Sequence, residues 1–161
     1  MLTHYRVPVS LSLVSIDLPI RSLVEGSATL YQKDRDQFHL LLHEPALVEW
    51  ESDSFPPERI IPAQKPRLLW LEVSPYRAVM TMQGQGKYSY RHLWQQGMYG
   101  LSRYYLQTDL QAMASQLRLR NFTRQLELVG HPLPEYMRLE YELWSENVQM
   151  GRYVLSLEIH H

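Results

Sequence analysis

A chain of 161 residues that is 45% hydrophobic and 20% charged carries enough apolar material for one packed domain and too much for a disordered one. Its formal net charge of −1 supplies no global field to draw it to nucleic acid or to an acidic membrane, so neither is an expected partner. It contains no cysteine, which excludes disulfides and thiolate catalysis; with no leader-like start and no window of about 18 uninterrupted apolar residues, a soluble cytoplasmic protein is expected.

In chain order, Val7, Val9, Leu11 and Leu13 alternate with Pro8, Ser10 and Ser12, the pattern of a strand with one buried face. Pro8 donates no ladder hydrogen bond and so belongs at an edge or near the strand start. Leu23 to Lys33 reads as a second strand, with Gly26 as a bulge or bend, and Phe38 to Glu44 as a third after the polar turn Asp34-Arg35-Asp36. From Pro45 to Pro66 five prolines and several acids break the pattern, which predicts a surface insertion.

Strand signals return at Arg67 to Val73, then after a Ser74-Pro75 turn at Arg77 to Gln83, closed by Gly84-Gln85-Gly86. Tyr88, Tyr90, His92 and Trp94 then line one face against Arg91 and Leu93, and Leu101 to Gln107 follows as another strand. Leu110 to Leu117 fits either a helix capped by Asp109 or a strand running into Arg120; the strand keeps the meander continuous. Phe122 to Pro134 reads as a connection with a short strand at Leu126 to Val129. The chain ends in a hairpin: Met137, Leu139, Tyr141 and Leu143 alternate with polar residues, Ser145-Glu146-Asn147 turns, and Tyr153, Leu155, Leu157 and Ile159 alternate again.

One-sided strands joined by short turns predict an all-β domain over residues 1–161, an antiparallel up-and-down barrel of roughly 8–10 strands; a two-sheet sandwich is the alternative. The order of Gly26-Ser27-Ala28-Thr29-Leu30-Tyr31, Phe38-His39-Leu40-Leu41-Leu42-His43-Glu44, the strand closing at Gly84 and the final Leu139-Glu140-Tyr141-Glu142-Leu143 hairpin resembles the YwiB-like family of small bacterial proteins of unknown function. That resemblance implies a calycin (lipocalin-like) barrel, and by analogy with calycins a ligand cavity.

Chemical signatures are sparse. His39 and His43 have the spacing of two metal ligands on a helical turn, but in a strand four residues span about 13 Å, too far to share an ion. Gly84-Gln85-Gly86 lacks the third glycine of a dinucleotide fingerprint, and no nucleophile elbow occurs. No catalytic constellation, metal or cofactor is expected. Arg118, Arg120 and Arg124, with Asn121 and Phe122 between them, form a basic patch that reads as a solvated face balanced by nearby acids. His160 and His161 are assigned no role. The residues that stand out are the rings: Tyr88, Tyr90, His92 and Trp94, joined by Tyr141 and Tyr153, suit either the wall of a cavity for a small, mostly apolar ligand or the filling of a closed barrel. The expected function is therefore ligand binding in the interior; the alternative is an interaction or regulatory protein that works through its outer surface. Both leave the oligomeric state open, a homodimer included.

Overall fold

The computed structural model describes residues 4–19, 21–44, 67–83, 88–107 and 114–161. The described residues form ten strands and no helix: β1 (His4–Ser15), β2 (Arg21–Asp34), β3 (Gln37–Glu44), β4 (Arg67–Val73), β5 (Arg77–Gln83), β6 (Tyr88–Gln95), β7 (Tyr99–Gln107), β8 (Ala114–Val129), β9 (Tyr136–Ser145) and β10 (Val148–Ile159). Every neighbouring pair is antiparallel, and β1 pairs with β10 from Val9↔Ile159 to Ser15↔Tyr153, which closes the sheet into a barrel. The expected up-and-down barrel is thus the fold, and the sandwich is set aside. The expected insertion at 45–66, the Gly84-Gln85-Gly86 turn and residues 110–113 of the ambiguous stretch 110–117 lie outside the described residues, while its remainder, from Ala114, is strand as expected.

Alternation fills the barrel. Side chains at every second position point inward, placing Leu30, Leu40, Leu42, Leu69, Leu71, Met82, Met137, Leu139, Leu155 and Leu157 in an almost solvent-free core. Along β9 the burial pattern alternates without a break from Tyr136 to Leu143. Pro8 sits where its missing donor does no harm: it lies just before the β1–β10 ladder begins, and its carbonyl accepts from the His160 N–H at 2.9 Å.

Three irregularities depart from simple alternation. Gly26 is not one of them; it stands in regular register opposite Val9, so the expected bulge in β2 is instead at the Gln32/Asp34 shift, beside the turn. The second lies in β10 between Gln149 and Gly151, where Gly151 adopts φ 149°. The third corrects the reading of Phe122 to Pro134 as a connection. β8 runs unbroken through it to Val129, but its register against β9 shifts between Thr123 and Gln125. The inward set therefore changes from Leu119, Asn121 and Thr123 to Leu126 and Leu128. A bulge inserts one residue and reverses the phase of the alternation, which is why the segment has no single strand period.

The two faces predict different mutational costs. Leu40→Ala, at 1% exposure, will lower unfolding free energy by about 2–5 kcal/mol. Leu23→Ala, on the outer face at 57% exposure, will stay within about 0.5 kcal/mol of wild type. Urea unfolding of both variants checks this, and comparable losses would mean that the inward assignment is wrong.

Candidate functional site

β6 carries Tyr90, His92 and Trp94 on its inner face, with Arg91 exposed on the other. Trp94 is fully buried and His92 is 4% exposed. Their rings lie parallel, 4.9 Å apart at an interplanar angle of 4°. Tyr90 meets His92 edge-on at 5.1 Å. From β7, Tyr104 reaches His92 at 5.3 Å and Tyr90 at 6.1 Å. From β9, Tyr141 stands 5.1 Å from Trp94, and from β10 Tyr153 stacks on Tyr141 at 5.5 Å. The structure thus brings five of the six ring residues singled out in the sequence into one continuous cluster. Of the sixth, Tyr88, the backbone pairs with Leu106, and its side chain lies outside the described set.

The cluster is graded in depth. His92, Trp94 and Tyr141 are sealed, whereas Tyr90, Tyr104 and Tyr153 are half-buried. Leu117 shares the inward phase of Leu119 and Asn121 yet is 49% exposed. Tyr90, Leu117 and Tyr153 lie near the start of β6, the start of β8 and the end of β1, and an up-and-down topology gathers those strand ends at one end of the barrel. The half-buried rings therefore lie toward that end, packed on the core, with the sealed rings beneath. The opposite wall, from β2 to β5, is filled by aliphatic side chains, methionines and the single ring of Phe38.

A polar strand runs through this core. The Asn121 side-chain N–H group donates to the Ser102 hydroxyl at 2.9 Å and to the Leu93 carbonyl at 3.0 Å. Ser102 Oγ lies 2.7 Å from His92 Nδ1. The Ser102 hydroxyl thus links the Asn121 amide to the imidazole. Burial lowers the His92 pKa from 6.5 to about 3. A serine and a histidine at this distance have the spacing of a nucleophile and its base. Here Ser102 is fully buried and the imidazole is far too weak a base at neutral pH, so the pair is a buried polar linkage. Trp94 Nε1, Asn121 Oδ1 and Thr123 Oγ1 are buried without a hydrogen-bond partner.

Burial raises the Tyr141 hydroxyl pKa well above its usual value, reinforced by Tyr104, Tyr153 and Tyr90. Burial and then Asp17 raise that of Tyr153. The phenols are therefore neutral donors and acceptors at physiological pH.

Elsewhere, a recess of about 120 Å³ is lined by residues that include Lys33, His39, Glu72, Ser74 and Arg77, well below the several hundred Å³ of ligand pockets. His39 there faces Glu72 at 3.8 Å. Of the basic patch, Arg124 pairs with Glu142 at 3.4 Å as a balanced face would, while Asn121 turns inward. Sequence reasoning missed Tyr104, Ser102, Asn121 and Thr123. The alternation of Ser102 and Tyr104 with Arg103 and Tyr105 held the signal for the first two, but both faces of that strand are polar enough to conceal which is inside.

No protein-family model matches this chain, and no curated protein does. Among solved structures it is similar to the crystal structure of ywiB protein from Bacillus subtilis, with a TM-score of 0.59 at 11% identity over 98% of this chain and 94% of that one. A second match, Ail, the attachment invasion locus protein of Yersinia pestis, has a TM-score of 0.26 at 10% identity over 98% and 96% of the two chains, below the level of a shared fold. The barrel is thus of the ywiB type.

The buried imidazole predicts a pH effect. A histidine whose pKa is lower folded than unfolded stabilises the fold fully above about 6.5, and that contribution is lost as pH falls toward about 3. Wild-type stability will therefore fall between pH 6.5 and 4 by up to about 1.4 kcal/mol per pH unit from this group alone. His92→Phe will be less stable at pH 7 but will show a shallower decline. Urea midpoints of both proteins across that range test it; parallel slopes would contradict the assignment.

Proposed function

We propose that the protein is a calycin-like binding protein whose tyrosine-lined well takes a small, mostly apolar ligand. The observation that supports this reading is the gradation within the ring cluster: Tyr90, Tyr104 and Tyr153 are half-buried around sealed His92, Trp94 and Tyr141. Rings supply rigid apolar walls, and neutral phenol tips supply a few polar contacts to orient a guest. Buried polar atoms without partners each cost about 1–3 kcal/mol. Trp94 Nε1, Asn121 Oδ1 and Thr123 Oγ1 carry that cost within the sealed floor, below the level of the half-buried rings. A flat, weakly polar molecule that slides between Tyr153 and Tyr104 matches these features.

The second reading, a filled barrel that acts through its outer face, draws on the ring-to-ring packing of His92 and Trp94 at 4.9 Å and of Trp94 and Tyr141 at 5.1 Å. Those contacts leave the floor itself no room for a guest. The ligand is accordingly assigned to the half-buried level above it.

An apolar naphthalene sulfonate dye distinguishes the two. Under the binding reading it brightens with the folded protein and saturates, and Tyr153→Phe shifts its Kd several-fold at a stability cost of about 1 kcal/mol. Trp94→Ala, which removes a fully buried indole, costs about 3–5 kcal/mol and weakens the dye signal by collapsing the floor. No dye binding by wild-type protein below its unfolding transition would remove the well as a binding site and leave the rings as core.

A further inference from the structure

The near-neutral chain conceals a segregation of charge. Between Val73 and Leu126 the sequence holds seven lysines and arginines and one acid, Asp109. The fold gathers the central part of this excess. Arg91 on β6 pairs directly with Arg103 on β7, and Arg103 pairs directly with Arg118 on β8. All three share the outward phase, so three arginines stand side by side across three adjacent strands, none of which carries an acid near the row.

Like charges directly opposite one another destabilise a sheet, and a structural row of this kind is normally balanced by carboxylates. Here, among the described residues, none of the three has one. The ion pairs lie elsewhere, at Arg124–Glu142, Arg138–Glu140 and Arg152–Glu140. Among the described residues, the hydrogen bond of Arg118 goes to the neutral Gln116 at 3.3 Å. Arg103 Nε is buried with no acceptor, an orphaned donor at the centre of the row.

We propose that this row binds the phosphate backbone of a single-stranded nucleic acid. Cross-strand neighbours stand about 5 Å apart, so the row spans about 10 Å along the outside of a sheet that has no enclosing walls. A compact anion cannot touch all three groups there, whereas a chain of successive phosphates can follow them. The row continues through Thr81 on β5 to Trp70 on β4, directly opposite one another in register. Trp70 is 43% exposed, and Tyr105, two residues from Arg103, is 39% exposed. Exposed rings beside a basic track are the means by which single strands are held, bases stacking while cations meet the backbone. An acidic polypeptide would use the cations and leave those rings unused. This surface is on the outside of the barrel and is independent of the interior well.

The test is fluorescence anisotropy with a labelled oligothymidylate of about 15 nucleotides, a length that fills a typical single-strand site. Three phosphate contacts predict a slope of about −2 in log K against log salt, hence binding about 20-fold weaker at 200 mM than at 50 mM salt. The triple variant Arg91→Gln, Arg103→Gln, Arg118→Gln will lose that slope, and the corresponding triple lysine variant will keep it. The glutamine variant relieves repulsion, so its thermal midpoint will match or exceed that of wild type; if it fails to fold, each single variant will still lower the slope by about 0.7. Absence of wild-type binding at 50 mM salt, unchanged binding by the glutamine variants, equal affinity for polyglutamate, or displacement of the oligonucleotide by equimolar inorganic triphosphate would each overturn the proposal.

Discussion

Closure depends on the hydrogen-bonded seam between the first strand and the last. An open sheet of ten strands presents two unpaired edges, each a row of free N–H and C=O groups that invites association. Pairing Val9–Ser15 with Tyr153–Ile159 removes both edges and, by bending the sheet round on itself, creates an interior. Inward and outward then become properties of residue parity, and every inner contact follows from them. The seam is fixed by apolar alternation on both of its strands, with Val9, Leu11, Leu155 and Leu157 all buried. A slip of one residue there would turn serines and Glu158 into the core and leucines out of it.

Much of this was legible in the sequence. β4 and β5 coincide residue for residue with Arg67–Val73 and Arg77–Gln83, because these short apolar runs are bounded by proline and glycine. The inward facing of Tyr90, His92 and Trp94 was legible for the same reason. β8 was not, because the phase reversal after Thr123 scrambles its period and the chain beyond resembles a linker. The partners of the ring row were hidden for a different reason. Ser102 and Tyr104 reach His92, and Asn121 reaches Ser102, only through strand pairing, and register between strands is not written in any one strand's pattern. The juxtaposition of Arg91, Arg103 and Arg118 is hidden in the same way: each is unremarkable in its own strand.

The interior is divided by chemistry. On the β2–β5 wall, aliphatic side chains, methionines and Phe38 form an ordinary core. On the β6–β10 wall, rings meet edge to face and face to face around a hydrogen-bonded histidine. Aliphatic packing tolerates exchange of similar volumes, whereas a linkage of buried polar groups stands or falls as a unit, since each member removed leaves another unpaired. The ring wall is thus the rigidly specified part of the barrel.

The close approach at Gly100 bears on how such a sequence can vary. A Cβ at that position would lie 2.1 Å from the Leu93 carbonyl oxygen and 3.0 Å from Asn121 Oδ1. It would strike the groups that join β8 to β6 across the top of β7. No side chain fits while Asn121 holds the Leu93 carbonyl, and the same asparagine supports Ser102 and, through it, His92. Homologues should therefore exchange these positions together: a chain that gains a side chain at position 100 is expected to lose the amide at 121 and to place something other than a serine-bonded imidazole beneath the rings. Among distant relatives the glycine, which has no side chain to contribute, would mark which barrels retain this floor.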